Sequence, residues 1–274
     1  MDEFLRAPDG FRLADVDTSS TPGFDGGKPE GEDALAAGAD RLGHLQERFF
    51  AASRGGDTRS VLLVLQAMDT AGKGGIVRHV VGAVDPQGVQ LATFKRPTDE
   101  ELSHHFLWRI EKRLPAPGMI GVFDRSHYED VLIGRVRQLA PADEIEARYG
   151  EIRDFEQRVA DNGTEVVKVM LHISADEQKE RLTERLERPE KHWKYNPGDV
   201  DERLHWNDYQ AAYRLAIERT NADHAPWYVV PANHKWYARL AVQSLLLGAL
   251  ERLDPQWPVA DFDVKVEKKR LHAS

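Results

Sequence analysis

The 274-residue sequence contains no cysteine. Disulfide staples and thiolate metal sites are therefore excluded, and a cytoplasmic compartment is predicted. Nor is there any run of about 18 apolar residues, so no membrane span is predicted. The opening residues MDEFLRAPDGFRLADVDTSS are acidic and have no apolar centre, and do not read as a secretory signal. Positive charge is short as well: 37 Lys and Arg stand against 46 Asp and Glu, a formal net charge of −9. That balance argues against nucleic acid as a partner. The deficit is uneven, however. Residues 1–47 carry eleven acids and four bases, whereas residues 73–137 carry ten bases and eight acids, so a polyanionic ligand can still be held at one place.

With 41% hydrophobic residues the chain can bury a large core, and one main domain is predicted over 34–255. Residues 1–33 are rich in Asp, Ser, Thr, Pro and Gly and read as a flexible acidic leader, with 256–274 as a C-terminal tail. A first helix is predicted over 34–53, where Leu42, Leu45, Phe49 and Phe50 share one face. Strand-length apolar runs follow at 60–68, 89–94, 119–123, 166–171 and 227–230. Helical patterns at 75–84, 99–113, 142–160, 175–188, 201–222 and 235–252 lie between or after them. Strands alternating with helices imply βαβ units and a parallel sheet covered on both faces, a three-layer α/β/α sandwich.

The stretch LQAMDTAGKGG, residues 65–75, resembles a phosphate-binding loop and departs from it twice. In the pattern G-x-x-x-x-G-K-[ST], backbone amides surround phosphates, the Lys adds charge and the hydroxyl ligates Mg²⁺. Here Ala67 replaces the first glycine and Gly74 replaces the hydroxyl residue after Lys73, while a carboxylate, Asp69, stands where the loop begins. A hard oxygen ligand has moved rather than vanished. Thr70, Ala71, Gly72, Lys73, Gly74 and Gly75 are the candidate phosphate binders. The plainer alternative is a strand-to-helix turn that its glycines let curl.

VFDRSHYED, residues 122–130, ends a second apolar run. A parallel sheet would deliver Asp124 to the same edge as Asp69, giving a Mg²⁺ site with Arg125 beside it for phosphoryl oxygens. In the third stretch, residues 181–213, Arg181, Arg185 and Arg188 recur near helical spacing, with Trp193, Tyr195, Trp206, Tyr209 and Tyr213 close by. A charged helical hairpin of this kind suits a lid that closes over phosphates; the alternative is a solvated helix pair around a Pro-Gly turn.

These three pieces, in this order, resemble the polyphosphate kinase 2 family over roughly residues 35–255. DTAGKGG is similar to its Walker A loop, FDRSHYED to its Walker B segment and RPEKHWKYNPGD to its lid. The resemblance implies a P-loop kinase fold like that of thymidylate kinases, with a helical lid. It also implies Mg²⁺-dependent transfer of phosphate between inorganic polyphosphate and nucleotides, adenine and possibly guanine. Asp69 is then metal ligand and activator, Lys73 phosphate binder, and Asp124 and Arg125 metal and phosphate partners. An acidic residue after Tyr128, here Glu129, goes in the family with acceptance of nucleoside monophosphates and adds a metal-ligand candidate. Dimers or tetramers are common there. Arg78, Lys95, Arg96, Arg135 and Arg137 are candidates for the path of the polyphosphate chain, and Arg185 for phosphate contact after closure.

Two rivals stay open on the residues alone: an ATP-dependent nucleoside monophosphate kinase, and a nucleotide-sensing module without catalysis. Guanine-specific GTPases are disfavoured because no Asn-Lys-x-Asp segment occurs. The adjacent His104 and His105 would face different directions on a helix and are read as structural.

Overall fold

A computed structural model describes residues 1–274. Five strands, β1 (Ser60–Ala67), β2 (Val89–Thr93), β3 (Ile120–Asp124), β4 (Thr164–His172) and β5 (Trp227–Pro231), form one sheet in the order β2-β3-β1-β4-β5, with every pairing parallel. The long helices are α1 (Lys28–Arg54), α2 (Lys73–His79), α3 (Ala142–Asp161), α4 (Ala175–Glu187), α5 (Trp206–Thr220) and α6 (Lys235–Leu253). Because β1 is central and covered on both sides, all eight of its residues are buried, which is why its sequence is continuous rather than alternating. Its side chains still alternate in space. Val61, Leu63 and Leu65 join a core with α1, α2 and α6, while Leu62, Val64 and Met68 join a second core with α3 and α5. The result is the predicted three-layer sandwich.

The chain leaving β1 runs through α2 to β2 on one side of the sheet order, and the chain leaving β3 runs through α3 to β4 on the other. Strands β1 and β3 are neighbours, with Leu65 opposite Asp124. Their carboxyl ends therefore bound a topological switch point, where open α/β sheets leave a crevice for ligands.

Three expectations are corrected. Residues 1–33 are not a loose leader: Leu5, Ala7 and Leu13 are buried, the Ala7 amide donates to the Trp227 carbonyl at 2.9 Å, and Arg6 bridges Tyr228 in antiparallel sense. This segment covers the open edge of β5, whose unpaired backbone groups would otherwise face water, and three scattered apolar residues leave no periodic trace of it in the sequence. The helix predicted over 99–113 is two short ones, Asp99–Leu102 and Trp108–Glu111, since the chain turns between them to bury Leu107. The helix predicted over 201–222 breaks between Arg203 and Trp206, where the Arg203 guanidinium donates to the Ala175 carbonyl and to Gln178 Oε1. His104 stacks on Trp108 and His105 meets Glu151, so the pair does diverge.

Candidate active site

Strand β1 ends in a loop whose backbone departs from the ordinary regions. Thr70 has φ +66°, Gly72 +120° and, at the end of β3, Arg125 +65°. Left-handed backbone at Thr and Arg costs roughly 1 kcal/mol or more each and persists only where neighbours enforce it. Those neighbours are visible. The Arg125 amide donates to the Leu65 carbonyl at 3.1 Å, which extends the β1–β3 ladder by one rung. Gln178 Nε2 on α4 donates to the Asp69 carbonyl at 3.0 Å. Arg181, also on α4 and only 5% exposed, donates through Nη1 to the carbonyls of Thr70 (3.0 Å) and Ala71 (2.9 Å) and through Nη2 to those of Ala232 (2.6 Å) and Asn233 (3.0 Å). Its Nε is held by Glu177 at 2.6 Å. Arg181, expected as a lid base for phosphate, is instead a strut that fixes the loop carbonyls, because four backbone oxygens and a carboxylate consume its donors.

Asp69 Oδ1 lies 3.2 Å from Arg125 Nη2, so the two motifs meet as the sheet order requires. Both line a cavity of about 230 Å³, with Glu129, Tyr209 and Tyr213 on its walls and Asn196, Asp199 and Glu202 of the 188–205 segment over it. Burial pushes the Glu129 carboxyl above its ordinary value, against the pull of the Arg125 and Lys73 charges. Asp199 is raised in the same way, by burial and then by the nearby Asp69 charge. Burial opposes the charge of Arg125, but Glu129 and Asp69 outweigh it and its pKa is raised. The cavity thus holds four carboxylates around one guanidinium, which suits a ligand that brings cations with it.

Lys73 opens α2 and its Nζ approaches the Ala67 carbonyl at 3.4 Å. Asp124 ends β3, near enough for its charge to act on Arg125. The alternation of β3 puts it on the same side as Ile120 and Val122, whose core lies under α2, and it is not among the residues lining the cavity. Asp69, Asp124 and Glu129 accordingly do not form the expected three-carboxylate metal site, and no set of three or more His, Asp or Glu side chains converges for an ion anywhere in the chain. Mg²⁺ needs less than that. It keeps several waters and takes one or two carboxylates plus phosphate oxygens, a set that Asp69 and Glu129 with a bound nucleotide fit.

The other predicted cations are mostly engaged. Arg185 donates to the Lys194 carbonyl at 2.9 Å and to Asp199 Oδ2 at 3.2 Å, tying the covering segment to α4. Arg188 pairs with Glu184 and Glu190, Arg135 with Glu146, and Arg137 with Glu202. Arg78 is exposed on α2 near Arg239, and Lys95 and Arg96 are exposed. Of the aromatic residues, Tyr209 and Tyr213 reach the cavity while Trp193 is 79% exposed. Sequence reasoning gave no role to Asp199, although it closes the RPEKHWKYNPGD segment, and missed Gln178 and Glu202, which carry no motif. It also passed over Lys168, a lone cation within an apolar strand and a legible anomaly. Lys168 Nζ is fully buried, 2.6 Å from Glu156 Oε2 and 2.9 Å from the Tyr128 hydroxyl, and His127 meets the same Glu156 at 3.1 Å. This network anchors the VFDRSHYED segment from behind. A larger cleft of about 530 Å³ lies at the opposite edge of the sheet, but its arginines are paired, Arg6 with Asp223, Arg59 with Asp57 and Arg252 with Glu165.

The whole chain is similar to known proteins. The family model of polyphosphate kinase 2 matches residues 27–258. The AMP/ADP-polyphosphate phosphotransferase of Meiothermus ruber is 46% identical over 259 residues, 94% of this chain and 96% of that one. The ADP-polyphosphate phosphotransferase of Rhodopseudomonas palustris is 42% identical over 236 residues, 82% of this chain and 80% of that one. The crystal structure of polyphosphate kinase 2 from Arthrobacter aurescens TC1 superposes with a TM-score of 0.98 at 61% identity, covering 99% of this chain and 96% of that one. A loop with Ala67 in place of the leading glycine and Asp69 close behind it, an Arg125 that reaches that carboxylate, and these likenesses along nearly the full length lead to one conclusion: the chain belongs to the polyphosphate kinase 2 family.

Proposed function

We propose that this protein transfers the terminal phosphate of inorganic polyphosphate to AMP and to ADP. The observation that carries the reading is the meeting of Asp69, Arg125 and Glu129 in one covered cavity beside the Lys73 loop. An oxygen of the acceptor's last phosphate attacks the terminal phosphorus of the chain, one phosphoanhydride bond forms as another breaks, and the shortened polyphosphate leaves, so the reaction is reversible in principle. Such transfer needs positioning and charge stabilisation more than covalent chemistry. Lys73, with the amides of Thr70, Gly72, Lys73 and Gly74, holds phosphate oxygens, whereas those of Ala71 and Gly75 already donate to the Met68 and Gly72 carbonyls; Arg125 stabilises charge on the phosphoryl group in flight. Mg²⁺ held by Asp69 and Glu129 together with phosphate oxygens would neutralise charge between donor and acceptor. Asp124, whose charge acts on Arg125, helps to hold that guanidinium at the site. The relatives named for AMP and ADP support adenine nucleotides as acceptors; guanine nucleotides are a secondary class. The domain takes in residues 1–33, which pack onto the rest of the fold, and the lid narrows to 188–205; the protein acts as a homo-oligomer, a dimer or tetramer, in the cytoplasm. The chain has no helix long and apolar enough to cross a membrane.

The test is a time course with purified protein, Mg²⁺, long-chain polyphosphate and AMP, with no ATP added. ADP should appear first and ATP later. Use of ADP with AMP untouched would overturn the acceptor assignment, and turnover only with ATP as donor would overturn the function.

A further inference from the structure

Strand β1 contains one polar side chain between Val61 and Met68, and it is fully buried: Gln66 is 0% exposed. An amide in such a place is destabilising unless its hydrogen bonds are made. Its partners are all on the neighbouring VFDRSHYED segment. With the amide oriented to satisfy the whole network, its oxygen accepts from Ser126 Oγ at 3.0 Å and from the Ser126 amide at 3.2 Å, and its nitrogen donates to Glu129 Oε1 at 3.1 Å. Ser126 is itself fixed, since its hydroxyl also accepts from the Tyr128 amide at 3.2 Å and caps the 127–130 turn. A rigid strand inside the core therefore reaches one carboxylate on the cavity wall through a single amide.

From this geometry we infer that Gln66 is a positioning residue for the acceptor, which sets the preference between nucleoside monophosphate and diphosphate by holding the Glu129 carboxylate in place. The inference rests on the acceptor reading given above. Glu129 shares the cavity with Asp69 and Arg125, whose guanidinium would otherwise draw its carboxylate aside. The bond from Gln66 holds Oε1 in place and leaves Oε2 for a metal ion at Asp69. The shorter acceptor has fewer phosphate contacts of its own and depends more on that fixed group than the diphosphate does.

The experiment compares wild type, Gln66→Met, Glu129→Gln and the double variant, measuring kcat/KM for AMP and for ADP with polyphosphate, and AMP binding by calorimetry. Gln66→Met keeps length and volume and removes only the donor and acceptor. It should lower kcat/KM for AMP about tenfold, the effect of losing one hydrogen bond to a charged group, and lower that for ADP about twofold or less. In the Glu129→Gln background the same substitution should change AMP use by less than about twofold, because a residue that acts through another has no effect once the other is gone. Equal losses for AMP and ADP, or effects that multiply independently in the double variant, would overturn the inference. If Gln66→Met proves too unstable to assay, Gln66→Glu tests the same bond by replacing the donor with a second carboxylate, and an unchanged AMP to ADP ratio would again overturn it. Failure of the wild type to use polyphosphate sinks the proposed function alone, and the coupling of Gln66 to Glu129 is then read from AMP binding.

Discussion

Replacing Arg181 by Met separates two roles that the sequence cannot tell apart. As a phosphate-reaching lid base, Arg181 would be free in the unliganded protein, and its loss would weaken polyphosphate binding without disturbing the fold. In the structure it is 5% exposed and spends its guanidinium on the carbonyls of Thr70, Ala71, Ala232 and Asn233 and on Glu177. Simple addition of five charge-assisted hydrogen bonds would overshoot, since removing the buried cation also relieves its own desolvation. The measured scale for taking one partner from a buried charged network is about 3–5 kcal/mol, so a loss of about 4 kcal/mol is expected. For a chain of this size that lowers the melting temperature by on the order of 10 °C. Calorimetry on the protein without ligand should show this drop, and kcat should fall with it because Thr70 and Ala71 lose the contacts that hold their backbone. Arg181→Lys should recover only part of the loss, since one ammonium cannot serve both the Thr70–Ala71 and the Ala232–Asn233 carbonyl pairs. An unchanged melting temperature with a raised KM for polyphosphate would refute the strut and restore the phosphate role.

Two further outcomes are expected. Lys73→Ala and Asp69→Asn should each lower turnover by about a hundredfold or more while leaving the melting temperature near that of wild type, because both side chains face the transfer site and neither is packed in the core; a loss of less than about tenfold in steady-state kinetics would be too small for the roles assigned. His172, at the end of β4, has its pKa pressed down by burial to about 4 from an ordinary 6.5. Below pH 4 both folded and unfolded states carry the proton; between about pH 4 and 6.5 the unfolded state binds more, so stability should rise with pH across that window, by up to about 3 kcal/mol, and level off above it. Urea unfolding at pH 4.5 and 7 should show a smaller rise in His172→Gln, and equal slopes in the two proteins would remove His172 as its source.

What the sequence by itself determined about this protein is whatever local pattern and short-range chemistry can carry. Four strands were legible as largely buried apolar runs and the partly exposed edge strand β2 by its Val89, Leu91 and Ala92, and the loop at Asp69–Gly75 because its glycines and Lys73 sit at a strand-to-helix junction. The meeting of the Asp69 loop with the VFDRSHYED segment followed from placing two strand ends at one sheet edge, a step that needs only parallel topology; that Asp69 pairs with Arg125 there was read from the structure. Tertiary structure decided the rest. It turned Arg181 from a surface base into a buried strut, because the carbonyls of Ala232 and Asn233, some fifty residues away in sequence, arrive beside the loop. It left Asp124 off the cavity wall that Glu129 lines, because strand alternation puts Asp124 on the face of Ile120 and Val122. It packed residues 1–33 onto β5, since an edge strand needs a cover that only the assembled sheet can specify. Spacing along a chain encodes which face a residue shares with its near neighbours; which distant backbone it meets is set by the order in which the strands assemble.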